Sequence, residues 1–175
     1  MAEITAAMVR ELRDRTGVAM MDCKSALAET KGDMEKAVDL LRKKGQAKQD
    51  KLASREAKEG RVNVAISPDG KHAVILEINC NTDFTAKSAP VQAVIDGATQ
   101  LLLKNPNVNV AEDPQIKARI TEAAQQTGEN VRIGRYQVVS INEGKIGSYL
   151  HYTGKVGVLV VLKGNPSEEL IKDLC

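Results

Sequence analysis

The spacing of apolar residues changes at Arg61, and this change constrains the fold more than any other feature of the sequence. Before Arg61, apolar side chains recur every three or four residues, as they do along one face of a helix. After it, Val62, Val64 and Ile66 alternate with other residues, which is typical of a strand that buries one face. A second alternating run covers residues 72–78. The sequence therefore predicts an α+β protein, with helices first and a largely antiparallel sheet after them.

Residues 1–45 predict a small bundle of three helices. Each helix has an apolar face with the spacing i, i+3, i+4 and i+7: Thr5, Met8, Val9 and Leu12, then Cys23, Ala26, Leu27 and Thr30, then Met34, Ala37, Val38 and Leu41. We expect these helices to end at Gly17, Gly32 and Gly45, because glycine commonly closes a helix. Asp33 is the expected N-cap of the third helix. The charged residues 46–60 then predict a solvated helical linker between two domains.

Residues 61–142 predict a first core subdomain with the order β-β-α-α-β. We expect Ser88 to cap its first helix and Gly128 to end its second. Residues 143–175 begin a second, similar subdomain, because Gly154-Lys155 and the strand after it line up with Gly70-Lys71. This second unit reaches only its first helix at Cys175. We therefore expect an apolar sheet face that is covered by something else or by the rest of a longer natural protein.

The stretch from Asn81 to Phe84 separates the second strand from the next helix, and we expect it to form a loop. It places an acidic residue, Asp83, next to Phe84, the only phenylalanine among 175 residues. Large apolar side chains are usually buried, so the ring could fill the local core. Loops held between a strand and a helix also commonly carry recognition residues, so the ring could project as an anchor for a partner. The residues alone leave both interpretations open.

Met20 and Met21 stand at the expected start of the second helix. Adjacent helical positions diverge by about 100°, so at least one of the two side chains should be exposed. The pair could be no more than an apolar helix start. It could also be an adaptable contact surface for another protein, a role to which the flexible methionine side chain is suited.

Composition limits the function classes. The chain has 25 basic and 23 acidic residues, a net charge of +2, and so lacks the positive excess of a dedicated nucleic-acid-binding protein. Its three cysteines show no C-x-x-C spacing, which favours a reducing compartment. The N-terminus has no signal-peptide pattern, and no apolar run approaches the ~20 residues of a membrane span. We expect a cytoplasmic protein without a membrane partner.

The sequence offers no catalytic, cofactor-binding or metal-ligating constellation. Gly147 to Lys155 superficially resembles a phosphate loop, but six residues separate its glycines and Val156 replaces the required Ser or Thr. The two histidines, His72 and His151, have no cysteine or carboxylate at a spacing that indicates a nucleophile or a metal site. His151 follows a strand beside a turn and is expected to be partly exposed. We therefore expect no enzyme.

Three stretches of the chain together resemble the bacterial elongation factor Ts family, the guanine-nucleotide exchange factors of elongation factor Tu. They are residues 12–24, residues 77–84, and residues 128–130 with 147–151. The resemblance implies a UBA-like N-terminal bundle, a first core subdomain and the opening of a second. The family's inserted coiled coil and C-terminal module have no counterpart before Cys175. The sequence departs from the family at Ala19, where glycine is frequent, and at Thr127, where an aliphatic residue is frequent.

The resemblance also implies a partner and a mechanism. Thr82, Asp83 and Phe84 match the motif whose Asp-Phe pair inserts between two helices of the nucleotide-binding domain of elongation factor Tu and disturbs its magnesium site. Arg13, Met20 and Met21 match the N-terminal surface that binds the same domain. His151 matches a residue that displaces elements supporting the partner's phosphate loop.

Gly128 matches a further contact turn. In the mechanism that the resemblance implies, these contacts stabilise the nucleotide-free form of elongation factor Tu. Two other functions stay open: a helical adaptor joined to an RNA-binding module, and a purely structural subunit.

Overall fold

The computed structural model describes residues 4–175, apart from the side chains of Gln46, Gln49 and Asp50. Over this range the chain forms seven helices and five strands: α1 Ala6–Thr16, α2 Met20–Glu29, α3 Met34–Leu52, β1 Glu59–Ile66, β2 His72–Cys80, α4 Asp83–Ala86, α5 Ala89–Lys104, α6 Pro114–Thr127, β3 Arg132–Ser140, β4 Lys145–Leu150, β5 Gly157–Leu162 and α7 Glu168–Leu174. The predicted α+β class is confirmed. No helix in this range is long and apolar enough to cross a membrane. Residues 1–3, on which the prediction of no signal peptide partly rests, lie outside the described residues.

The helices α1, α2 and α3 form the predicted bundle. Its core contains Leu12, Cys23 and Leu27, all fully buried, and each lies on a predicted apolar face. Gly17 ends α1 in the left-handed conformation, with φ of 66°, as expected for a C-cap. Thr5 differs from its prediction. It precedes α1 as the N-cap, and its Oγ1 accepts a hydrogen bond from the Met8 amide at 3.3 Å.

The predicted end of the third helix at Gly45 is wrong. Helix α3 continues through Gly45 to Leu52, whose side chain is buried, and therefore crosses the predicted domain boundary. Gly45 is a position of close packing against α6: a Cβ atom there would lie 1.2 Å from Nε2 of Gln125. The same Gln125 Nε2 donates a hydrogen bond to the Leu41 carbonyl at 2.9 Å. The glycine therefore lets the bundle approach the rest of the molecule.

The central sheet has the strand order β1-β2-β3 and is antiparallel throughout. Alternate residues of β2 point toward α5 and α6, and Val74, Leu76 and Ile78 are fully buried there. The β-β-α-α-β order is confirmed, with one addition: the short helix α4 stands between β2 and α5. The strand β2 also extends two residues beyond the predicted end, to Cys80.

The second hairpin, β4-β5, lies against the opposite face of this sheet. The closest approach is at Gly157, where a Cβ atom would lie 2.7 Å from Cγ2 of Val64 and 3.0 Å from Cγ1 of Val62. The predicted final helix is confirmed as α7, whose N-cap Ser167 accepts a hydrogen bond from the Leu170 amide at 3.1 Å. Val161 and Leu174 of this unit are 45% and 49% exposed. The uncovered apolar sheet face that the sequence predicts stays a prediction.

Candidate partner-binding surface

Asp83 and Phe84 lie in the first turn of α4, and the prediction of an irregular loop at this point is wrong. The local sequence explains the helix. Thr82 has extended backbone angles, and its Oγ1 accepts a hydrogen bond from the Thr85 amide at 3.3 Å, which is an N-cap. Asp83 then supplies a negative charge to the first turn, where the helix dipole favours it. The buried residues Thr85 and Ala86 fix the other face of the helix.

The side chain of Phe84 projects into solvent. It is 84% exposed, whereas the next two residues, Thr85 and Ala86, are buried. This exposure excludes the interpretation in which the ring fills the local core. The exposed ring is available to a partner. A partner that buries it gains about 1.5–3 kcal/mol.

The Asp83 carboxylate is ionised at neutral pH. Its Oδ2 accepts a hydrogen bond from Lys87 Nζ at 3.0 Å, one helical turn away. This hydrogen bond and the positive charge of Lys87 lower the pKa of Asp83 below its usual value. Lys155, from the turn between β4 and β5, adds a smaller effect in the same direction. The second hairpin therefore lies within electrostatic range of α4.

The turn after α6 contacts the start of α4 through Glu129. Its Oε2 accepts hydrogen bonds from the amides of Asn81 and Thr82 at 3.1 and 2.9 Å, and its Oε1 accepts one from Thr82 Oγ1 at 2.7 Å. Burial, the largest influence, raises the pKa of Glu129, but hydrogen bonds from Thr82, Thr85 and Asn81 together outweigh it and lower that pKa. The family resemblance implies a contact role for Gly128 in this turn and none for the adjacent Glu129.

Two asparagines extend this contact to the segment that follows α3. The Asn130 amide donates to Oδ1 of Asn81 at 2.8 Å, and Asn81 Nδ2 donates to the Glu56 carbonyl at 2.6 Å. Asn130 Nδ2 donates to the Arg55 carbonyl at 2.9 Å. Three segments far apart in sequence therefore meet beside α4. Gly128 itself ends α6 with φ of 71°, and nothing lies within 4 Å of the position of an added Cβ atom.

His151 lies in the turn between β4 and β5 and is half-buried, as expected. Its Nδ1 lies 2.7 Å from Oγ1 of Thr153, and its ring centroid lies 4.3 Å from that of Tyr152. The turn is attached to β1 by a hydrogen bond from the Val62 amide to the Gly154 carbonyl at 2.7 Å. An ion pair between Lys155 and Glu59 at 2.5 Å adds a second attachment.

Because Glu59 pairs with Cys80 in the sheet, the His151 turn lies beside the strand end that leads to α4.

Arg13, Met20 and Met21 belong to a different part of the molecule, the bundle. Arg13 is exposed in the last turn of α1, and the two methionines begin α2. Met20 is 39% exposed and Met21 is 74% exposed. The expectation of at least one exposed methionine is confirmed. The structure therefore groups the predicted residues into an α4 surface (Thr82, Asp83, Phe84, Gly128 and His151) and a bundle surface (Arg13, Met20 and Met21).

Comparison with known proteins gives the family. The family model described as elongation factor TS matches residues 81–175, which include every residue of the α4 surface. The chain belongs to the elongation factor Ts family. It is also 45% identical to elongation factor Ts of Methylococcus capsulatus over 98% of its own length. It spans about 60% of the length of that relative. The resemblance inferred from the sequence motifs is thus confirmed.

Cys80 and His72 are further ionisable side chains of the central sheet. Burial raises the pKa of the Cys80 thiol to about 11, so it is protonated at neutral pH. His72 Nδ1 lies 2.8 Å from Ser140 Oγ on the central sheet. Among residues 4–175 no group of three His, Cys, Asp or Glu side chains lies close enough to hold a metal ion.

Proposed function

We propose that this chain binds elongation factor Tu in its GDP-bound form and promotes GDP release during translation elongation. The observation that carries the proposal is the exposed ring of Phe84, presented beside the ionised Asp83 on a capped helix. In the mechanism that the family resemblance implies, this pair enters between two helices of the GTPase and disturbs its magnesium site. The work is done by contact alone, and the chain performs no bond chemistry.

The remaining surfaces supply affinity. One phenylalanine contributes about 1.5–3 kcal/mol on burial, which can separate two packed side chains but cannot by itself hold two proteins together. We assign the additional binding energy to Arg13, Met20 and Met21 on the bundle surface and to Gly128 and His151 on the α4 surface. The nucleotide-free partner is stabilised by the same interactions.

Thermodynamic linkage makes such a factor recyclable. If binding of the chain lowers the partner's affinity for GDP by some factor, GDP lowers the partner's affinity for the chain by the same factor. Binding of a new nucleotide therefore releases the chain. We also propose that the chain meets this partner in the cytoplasm, a reducing compartment with which the free cysteines Cys23, Cys80 and Cys175 are compatible.

A fluorescent-GDP release assay on elongation factor Tu tests the proposal. We expect the chain to accelerate release and Phe84→Ala to lose most of the acceleration while keeping the native circular-dichroism spectrum. Leu170→Ala is the matched control, because Leu170 is an apolar residue of α7 that is 47% exposed. An unaltered release rate with Phe84→Ala would refute the role assigned to the ring.

We further propose that the chain has no direct nucleic-acid partner, which its balanced charge supports. Titration with RNA at two salt concentrations checks this proposal. Weak binding with little salt dependence is expected, whereas tight binding that falls steeply with salt would favour an RNA-binding module.

A further inference from the structure

We infer that Glu129 is a positioning residue that fixes the direction of α4 and therefore of the Phe84 ring. This inference rests on the proposed function for its effect on nucleotide exchange. Its structural part concerns the free protein alone. The residue lies outside α4, 45 positions beyond Phe84 in the sequence. It contacts the residues that precede the helix, Asn81 and Thr82, and it also interacts with the Thr85 side chain within the helix.

The first support is that α4 is too short to be stable without contacts from the rest of the chain. It contains four residues, Asp83–Ala86, and so barely one turn. Isolated helices of this length are unstable because nucleation costs more than one turn of hydrogen bonds returns. The direction of the Phe84 side chain must therefore be set by groups that contact the helix from outside.

The second support is the position of the Glu129 carboxylate at the N-terminus of α4. It accepts the two backbone amides that precede the helix, those of Asn81 and Thr82. It also accepts the hydroxyl proton of Thr82, whose Oγ1 in turn accepts the Thr85 amide. The helix cap is therefore itself held by Glu129. With both oxygens occupied, the carboxylate determines where the helix begins.

The third support is that hydrogen bonds restrain the turn that carries Glu129. Gly128 closes α6 in the left-handed conformation, and the Glu129 amide donates to Thr127 Oγ1 at 3.3 Å. The next residue, Asn130, is buried and is bonded to Asn81 and to the Arg55 carbonyl. The turn that carries the carboxylate therefore cannot move independently of the core helix α6.

Two substitutions separate hydrogen-bond geometry from charge. Glu129→Ala removes all three contacts. Glu129→Gln can keep them, because its carbonyl oxygen can accept both amides and its NH2 group can donate to Thr82 Oγ1. The matched control is Glu77→Ala. Glu77 is also a half-buried carboxylate with a lowered pKa, and it accepts hydrogen bonds from Asn79 and Arg135 in the central sheet.

The first measurement uses the chain alone. Amide hydrogen exchange of residues 82–87, followed by NMR, should accelerate at least about tenfold in Glu129→Ala. It should stay within about twofold of the original chain in Glu129→Gln and Glu77→Ala, with the bundle amides unchanged in all three variants. Unchanged protection of residues 82–87 in Glu129→Ala overturns the inference, whatever the chain does to elongation factor Tu.

The second measurement is a double-mutant cycle in the GDP-release assay. We expect Glu129→Ala to lower the efficiency of release roughly tenfold and Glu129→Gln to restore it. If Glu129 acts through the ring, Glu129→Ala should add nothing to Phe84→Ala. Additive losses, or no rescue by glutamine, overturn the positioning role. Failure of the proposed function gives a different result: elongation factor Tu would then release GDP as fast with Phe84→Ala as with the original chain.

Discussion

The two candidate surfaces both present an exposed apolar side chain at the start of a helix, but the two helix starts are built differently. Phe84 is 84% exposed on α4, whose cap Thr82 is hydrogen-bonded both to the helix and to Glu129. Met21 is 74% exposed on α2, whose N-cap residue Ala19 makes no side-chain cap hydrogen bond. A rigid ring stands on a firmly held helix, and a flexible side chain stands on an uncapped one.

This difference suggests two different tasks. An aromatic ring with few rotatable bonds loses little entropy on binding and can push packed helices apart. A methionine pair adapts to the shape that it meets and contributes contact area without requiring one geometry. We therefore expect α4 to determine the rate of GDP release and the bundle surface to determine affinity.

The largest expected effect comes from replacing Phe84 by leucine, with the same replacement at Met21 for comparison. Phe84→Leu should lower the efficiency of GDP release roughly tenfold or more, because the branched side chain is shorter and does not reproduce the ring. Met21→Leu should stay within about threefold, because its apolar contact is adaptable. The checks are the maximal release rate and the half-saturating concentration for elongation factor Tu. Equal losses at both positions would contradict the division of tasks.

The sequence predicted these two surfaces with unequal success, and the reason is physical. Helical periodicity identified the bundle core, because Leu12, Cys23 and Leu27 are neighbours within or between adjacent helices. Helix α4 is too short to show any period, so the sequence predicts a loop at this point. The reason for glycine at Gly45 is contact with Gln125, which is 80 positions away in sequence and invisible to a local pattern. The sequence therefore favoured a helix end there.

Glu129 is a second residue whose contacts are too distant in sequence for a local pattern to reveal. Its contacts with Asn81 and Thr82 span 48 and 47 positions, so no spacing rule could identify them. The family motif had already marked the adjacent Gly128 as part of a contact turn. The resemblance covers residues 128–130 and so includes Glu129, but it implies a contact role for Gly128 alone.

A smaller effect is expected from the α4 cap. Thr82→Ala removes both the acceptor for the Thr85 amide and one donor to Glu129, so we expect roughly a fivefold loss of release efficiency. Thr82→Ser keeps the hydroxyl and should restore most of the activity. The release assay measures both variants, with circular dichroism as a folding check. An inactive serine variant would indicate that the methyl group of Thr82, rather than its hydroxyl, is the important part.

Acidification should loosen α4 without unfolding the core. The pKa of Glu129 is lower in the folded chain than its ordinary value of 4.5. Its stabilising contribution is therefore fully present above about pH 4.5 and is lost as the pH falls through the lower, folded value. The NMR shifts of the Asn81 and Thr82 amides should follow this titration.

In Glu129→Gln the carboxyl group is absent, and the acid step in those two amides should disappear. Asp83 is also ionised with a lowered pKa, so its titration is a second source of acid-induced change in α4. Asp83→Asn is therefore the control, and it should leave the step at Asn81 in place. A step that persists in Glu129→Gln would assign the acid response to another group.

The smallest expected effect is a gain of stability at α2. Ala19 already has extended backbone angles, φ −57° and ψ 141°, which suit an N-cap residue. Ala19→Ser should supply the missing acceptor for the Asp22 amide and stabilise the bundle by about 0.5–1 kcal/mol, which raises Tm by about 2 °C. GDP release should stay within about twofold, because Met21 remains exposed and its side chain is unaltered. A clear loss of affinity for elongation factor Tu would show that the uncapped first turn of α2 has to open for binding. The adaptability of the bundle surface would then reside in its backbone as well as in its methionines.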